Sequence, residues 1–310
     1  MMNTKMALTS ATTSNGQYAP SSKPVGLFFG GTSGIGQAMA EQLAKQTNGR
    51  AHIILLGRNE AAAEKIIASF PKTDASTAPE DASDYSFVKL DATSMEQVRQ
   101  VTSQLSSQLP KINFIITTPG YLTLKGRDET SEGIDRKLAC NFYARFRFIH
   151  DLAPLVAKAA QNGERTGVMS ILGAGHGGPV NLDDLGLVKT YTLGNAAAYA
   201  ITCTDAVMQE FASKYPTVPF YHAFPGTVSS PMMTTLFPGA RFFAPLLKPW
   251  TVTPAQCAEI MWWRLWSSEA QWKTGAHEID NKGTGLTPNQ HVTEESKKAI
   301  WDHAISTTDP

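Results

Sequence analysis

The chain carries no charge surplus: 27 basic side chains stand against 27 acidic ones in 310 residues. Nucleic acids and anionic membranes select a basic excess, so neither is expected as a partner. Cysteine is scarce. Cys140, Cys203 and Cys257 are odd in number and far apart, and no pair has zinc or dithiol spacing. That predicts free thiols in a reducing compartment, the cytoplasm, and no disulfide framework. The seven histidines include no pair four residues apart with an acid between, so no metal site is expected. No apolar run approaches the length of a membrane span. Residues 1–23 lack arginine and any apolar segment, which argues against a mitochondrial presequence or a secretory signal. Their Ser, Thr and Asn content predicts a disordered tail.

What is present starts at residues 25–36, VGLFFGGTSGIG. A short apolar run breaks at Gly30, Gly34 and Gly36, and a helical pattern, QAMAEQLAKQ, follows at once. Strand, glycine turn and helix form a phosphate cradle, because the turn brings bare N–H groups and a helix dipole's positive end to one point. Only glycine lets backbone come that close to a diphosphate while turning.

Beyond it, strands expected at 25–29, 51–56, 86–90, 112–117, 167–172, 218–224 and 276–280 alternate with helices at 34–45, 61–69, 95–109, 134–157, 195–214 and 294–305. Apolar strands alternating with helices predict an α/β fold: a single doubly wound parallel sheet of Rossmann type, about seven strands, with helices on both faces, over residues 24–310. Ligands of such sheets bind at the carboxyl ends of the strands. The irregular stretch 229–251 holds Met232, Met233, Phe237, Phe242 and Phe243, which fits a lid or an apolar, adaptable pocket wall around a small-molecule substrate. Trp262, Trp263 and Trp266 have the spacing of a helix face in a core or subunit contact.

The order of these pieces resembles the short-chain dehydrogenase/reductase superfamily from about residue 25 to residue 280. Gly30, Gly34 and Gly36, with Thr32, Ser33 and Ile35 between them, have its glycine spacing. Asp91, in KLDAT after the third strand, matches its adenine-contacting acid. Asn141 matches its active-site helix asparagine, and Ser170, three residues before Gly173, its catalytic serine. Pro225, Gly226, Val228 and Ser230 fall in PGTVSS, similar to the turn beside the nicotinamide. The closing WDHAIS and the long acceptor loop are similar to fungal secondary-metabolism members. The resemblance implies a homo-oligomer.

Members that prefer NAD carry an acid at the end of the second strand, where this chain has Arg58 and Asn59. A guanidinium fork fits a 2′-phosphate, so the expected cofactor is NADP(H). Two positions depart from the family. Thr117-Thr118-Pro119-Gly120 replaces its N-x-A-G, a segment that holds the neighbouring strand, and the Tyr-x-x-x-Lys pair is absent: Asn195 stands four residues after Tyr191, and Cys203 four after Tyr199. Free tyrosine has a pKa of about 10, so without a cation it is a poor base at neutral pH but a usable acid. That favours carbonyl reduction. Tyr191, near a helix start, is the expected proton donor over Tyr199, which is expected to pack in the core. Lys189 and His176 are candidate substitutes for the lysine, each with a plain solvated alternative. Three functions stay open: an NADPH-dependent reductase of an apolar ketone or aldehyde, a non-redox cyclase, isomerase or dehydratase, and a silent NADP(H)-binding regulator.

Overall fold

The computed structural model describes residues 3–229 and 251–309. Seven strands form one sheet in the order β3-β2-β1-β4-β5-β6-β7, and every pairing is parallel. They are β1 Val25–Phe29, β2 His52–Gly57, β3 Asp84–Lys89, β4 Phe114–Thr117, β5 Gly167–Ile171, β6 Pro219–Ala223 and β7 Gly275–Ile279. The order reverses between β1 and β4, the switch point at which such sheets open a crevice.

Helices cover both faces because the central strands are buried on both sides. Leu27, Phe29, Ile115 and Val168 face a core with α4 (Met95–Gln108), α6 (Ala144–Gln161), α7 (Leu193–Lys214) and α9 (Glu294–Thr308). Phe28, Phe114, Ile116 and Met169, one residue out of phase, face a second core with α2 (Gly34–Gln46), α3 (Glu60–Ser69) and α8 (Pro254–Leu265). Side-chain alternation along each strand sorts the two sets. Trp262 and Trp266 belong to the second core: the rings stack at 4.3 Å, and Trp262 Nε1 donates to Met39 O at 2.9 Å. That answers the open reading of the tryptophan face in favour of core packing.

The disordered tail expected over 1–23 is corrected in part. Thr4–Asn15 is helix α1, capped by Asn3, whose Oδ1 accepts from Met6 N. Its composition is polar, but Ala7, Ala11 and Asn15 recur every four residues and are buried. Asn15 Nδ2 donates to Glu259 O at 2.8 Å on α8. A narrow stripe of small residues is enough to dock a helix when a polar side chain finds a partner beneath it. The expected helix over 134–157 is three pieces: α5 (Arg136–Leu138), a π-helical turn Ala139–Tyr143 and α6. Ser230, Met232, Met233, Phe237, Phe242 and Phe243 lie outside the described residues.

Candidate active site

A cleft of about 570 Å³ opens at the carboxyl ends of the strands. The glycine turn forms its floor: Gly30, Thr32, Ser33, Gly34 and Ile35 all line it. Gly30 has φ +89, and a Cβ there would lie 2.5 Å from Thr118 Oγ1 and 2.8 Å from Pro119 N. Gly36 sits behind the wall, where a Cβ would meet Gly30 O at 2.5 Å, so it permits the approach of α2 to the turn. Ser33 is the N-cap of α2 but makes no side-chain cap bond, which leaves its hydroxyl and the helix's first N–H groups to a ligand.

Toward β2 and β3 the cleft meets Arg58, Asp91 and Thr93. Arg58 is exposed and has no hydrogen bond or ion pair among the described residues. Asp91 Oδ1 accepts from Thr93 N and Oγ1, both at 2.9 Å. Asn59 does not line the cleft; its Oδ1 caps α3 by accepting from Ala62 N at 3.0 Å.

The other end is bounded by Asn141, Arg145, Ile171, Leu172 and the turn Pro225–Val228. Asn141 lies within the π turn, a widening of helix that recurs at functional sites. Its Oδ1 accepts from Tyr121 N at 3.1 Å and so fixes the 119–122 wall. Thr117-Thr118-Pro119-Gly120 does hold the neighbouring strand: Thr118 N donates to Phe29 O at 2.8 Å.

The expected catalytic trio is not brought together. Ser170 is fully buried and is not among the cleft-lining residues. Within β5, alternation turns it toward α6, where its Oγ accepts from Arg145 Nη1 at 2.8 Å. Leu172 holds the position at the strand end that faces the cleft. Tyr191 also lies off the described lining. Its ring packs on the α4–α7 core, its hydroxyl is buried without a partner among the described residues, and Lys137 Nζ stands 5.3 Å from the ring centroid. Tyr199 is a core residue, its hydroxyl 3.1 Å from that of Tyr143. Burial raises its pKa well above the usual phenol range. Lys189 is exposed, and His176, also exposed, stacks edge-on against Phe224 at 4.3 Å.

Arg145 is the residue the sequence reading missed. It is 2 % exposed and lines the cleft. Nη1 donates to Ser170 Oγ and Ile171 O at 2.8 Å and to Thr117 O at 3.3 Å, and Nη2 donates to Pro119 O at 2.5 Å. Burial pushes its pKa down to about 10, which leaves it charged at neutral pH. Cys140, also on the cleft, is pushed up to about 11 by burial and stays a thiol.

Comparison with known proteins places this geometry. The sequence profile described as short chain dehydrogenase matches residues 25–182, half of the chain. An oxidoreductase of Emericella nidulans is 33% identical over 255 residues, 80% of this chain and 73% of its own length. An oxidoreductase of Emericella variicolor is 30% identical over 68% of this chain and 60% of its own length. A short chain dehydrogenase of Escherichia coli, solved in complex with NADPH, shares the fold at a TM-score of 0.57, over 84% of this chain and 97% of that one, with 19% identity. On its sequence, its sheet and its cleft, this chain belongs to the short-chain dehydrogenase family and is an oxidoreductase of it.

Proposed function

We propose that this chain is an NADPH-dependent reductase of a ketone or aldehyde carried on an apolar small molecule, of the kind met as secondary-metabolite intermediates. The observation that carries the reading is one continuous cleft that runs from Arg58, unpartnered among the described residues, across an uncapped helix N-terminus, to Asn141 and Leu172. A dinucleotide fits these residues, because the glycine turn lines the cleft with Ser33 at the start of α2, whose side chain makes no cap bond, while glycine at 30 and 36 lets the turn close against Thr118. Gly30, Thr32, Ser33, Gly34 and Ile35 would hold the diphosphate and Asp91 the adenine. Pro225, Gly226 and Val228, with Ser230 outside the described residues, would hold the nicotinamide. Arg58 selects the phosphorylated cofactor: its free fork meets a 2′-phosphate with charge-assisted bonds.

The bound cofactor supplies the hydride. Proton supply is assigned to Tyr191, which lies off the described lining and would have to turn its buried hydroxyl into the cleft to serve. Its hydroxyl has no bond partner among the described residues, whereas those of Tyr143 and Tyr199 are bonded to each other. The Lys137 ammonium, held by Lys125 O and Gly126 O at 2.9 and 3.0 Å, is the cation nearest that ring among the described contacts. Asn141 keeps the 119–122 wall in place. Ser170 acts one layer back, through Arg145, and does not touch substrate.

Transfer of deuterium from NADPH labelled at C4 into the product of a test panel of apolar ketones and aldehydes checks the reading. A deuterated alcohol supports it. Product formed without label supports the second reading, a non-redox isomerase, cyclase or dehydratase on this fold, which the withdrawal of Ser170 from the cleft favours. Tyr191→Phe is expected to cut turnover on the order of a hundredfold with NADPH affinity kept, the range of a lost general acid.

A further inference from the structure

We propose that Arg145 makes the cleft discriminate between the two oxidation states of its nicotinamide cofactor, holding the reduced form more tightly. The inference rests on the nicotinamide reading of the cleft and goes beyond it.

Every acceptor the Arg145 guanidinium meets is neutral: three backbone carbonyls, Thr117 O, Pro119 O and Ile171 O, and the hydroxyl of Ser170. No carboxylate lies within ion-pair distance of it among the described residues. Carbonyl dipoles satisfy its donors but leave its unit of charge uncancelled. A buried cation without a counter-ion is costly, and chains usually pair such groups. Among the described residues it borders the cleft.

Place along the cleft matters next. Arg145 ties the end of β4 to the end of β5 and sits one helical turn from Asn141, at the end away from Asp91. Asp91 is the acid on the lining, and it faces the β3 end. Arg58 is exposed, so water and salt screen it, whereas Arg145 is almost wholly enclosed and its field reaches the cleft with little screening.

The two forms of the cofactor differ at the ring alone. Oxidised nicotinamide carries a positive charge, and the dihydro ring is neutral, while adenosine, phosphates and riboses are the same in both. A fixed cation at the ring's end of the cleft therefore repels one form and spares the other. The ratio of the two dissociation constants isolates that field from every contact the forms share. Loss of packing or of the β4–β5 tie would weaken both forms together and leave the ratio alone. A guanidinium also stays charged across the physiological range, so the ratio should be flat from pH 6 to pH 9 by the general range of arginine ionisation, about 12 and above in water and still high here.

The experiment is a pair of calorimetric titrations, NADP⁺ and NADPH, on the purified full chain and three variants. Arg145→Gln removes the charge. Arg145→Lys keeps the charge but shortens the fork. Ser170→Asp keeps the fork and sets a carboxylate against it. The Kd ratio of oxidised to reduced cofactor is expected to fall on the order of tenfold in Arg145→Gln and Ser170→Asp, and to hold in Arg145→Lys, as a single charge in a partly shielded interior predicts. Should Arg145→Gln not fold, the Ser170→Asp and Arg145→Lys pair gives the same contrast. An unchanged ratio in the charge-neutralised variants, or an equal fall in all three, overturns the proposal. If the parent chain binds neither form, the nicotinamide reading itself fails and the proposal goes with it.

Discussion

His222 Nδ1 lies 2.5 Å from Asp205 Oδ1, and neither side chain has any exposed surface. The other imidazole nitrogen accepts from Gly173 N at 3.2 Å, which fixes the tautomer: Nδ1 carries the proton and gives it to the carboxylate. Asp205 Oδ2 accepts from Asn289 Nδ2 at 2.8 Å. One carboxylate on α7 thereby ties β6 and the segment before α9 to the start of the loop after β5, next to the cleft residues Ile171 and Leu172. Asp205→Ala leaves a buried imidazole N–H and an amide unpaired, and is expected to cost about 3 kcal/mol or more of unfolding free energy. Asp205→Asn, which keeps an acceptor for His222, should lose less. Urea unfolding of the three proteins checks the order.

The same network contains a group that titrates near neutrality. Glu278, across the β6–β7 pair from His222, is raised to about 7 by burial and then by the charge of Asp205. Its Oε2 is buried without a partner among the described residues, and Oε1 accepts from Asn289 N at 3.0 Å. The folded pKa exceeds the unfolded value of 4.5, so between those limits the folded chain keeps a proton that the unfolded chain has released. Stability therefore declines as pH rises from about 4.5 to about 7 and is level above that. Glu278→Gln should remove this decline. After solvent screening of a half-buried group, the gain at pH 8 is expected on the order of 1 kcal/mol, with none near pH 4.5. Thermal melts of both proteins at the two pH values measure it.

Gly30→Ala should abolish dinucleotide binding. The residue has a positive φ, and the added Cβ collides with Thr118 and with the Pro119 backbone. Backbone cannot yield there without moving the turn away from β4. The expected stability loss is about 1–3 kcal/mol. Gly133→Ala, positive in φ but open around its Cβ, separates the two causes: it should show the strain without the loss of binding.

Arg58→Ala should raise the Kd for NADPH about tenfold or more and leave that for NADH nearly unchanged, the range of a lost charge-assisted pair. Equal weakening of both would mean that Arg58 does not meet the 2′-phosphate. Fluorescence titration with each cofactor reads the difference directly.

The sequence shows the sheet and the phosphate turn because their rules are local. Only glycine fits at Gly30, and Phe28 and Phe29 must bury on opposite faces. The active-site residues depend on which way a side chain turns, and that is not local. Ser170 has the right spacing from Gly173, but its parity in β5 sends it to α6. Arg145 reads as one more surface charge beside Arg147, yet it occupies the apolar stripe of Leu138, Phe142, Ile149 and Leu152. A charge within such a stripe is the signal that marks it. Helix α1 escaped notice because its buried face is only alanine and one asparagine, which average composition hides.

On the proposed function, one cleft holds NADPH from Arg58 to Asn141. A crystal structure of the chain soaked with NADPH tests it most directly. The 2′-phosphate is expected on Arg58, the diphosphate over residues 30–35, and the nicotinamide against Asn141, Leu172 and Pro225, with Arg145 behind it. A dinucleotide bound elsewhere, or a nicotinamide end filled by protein, would contradict it.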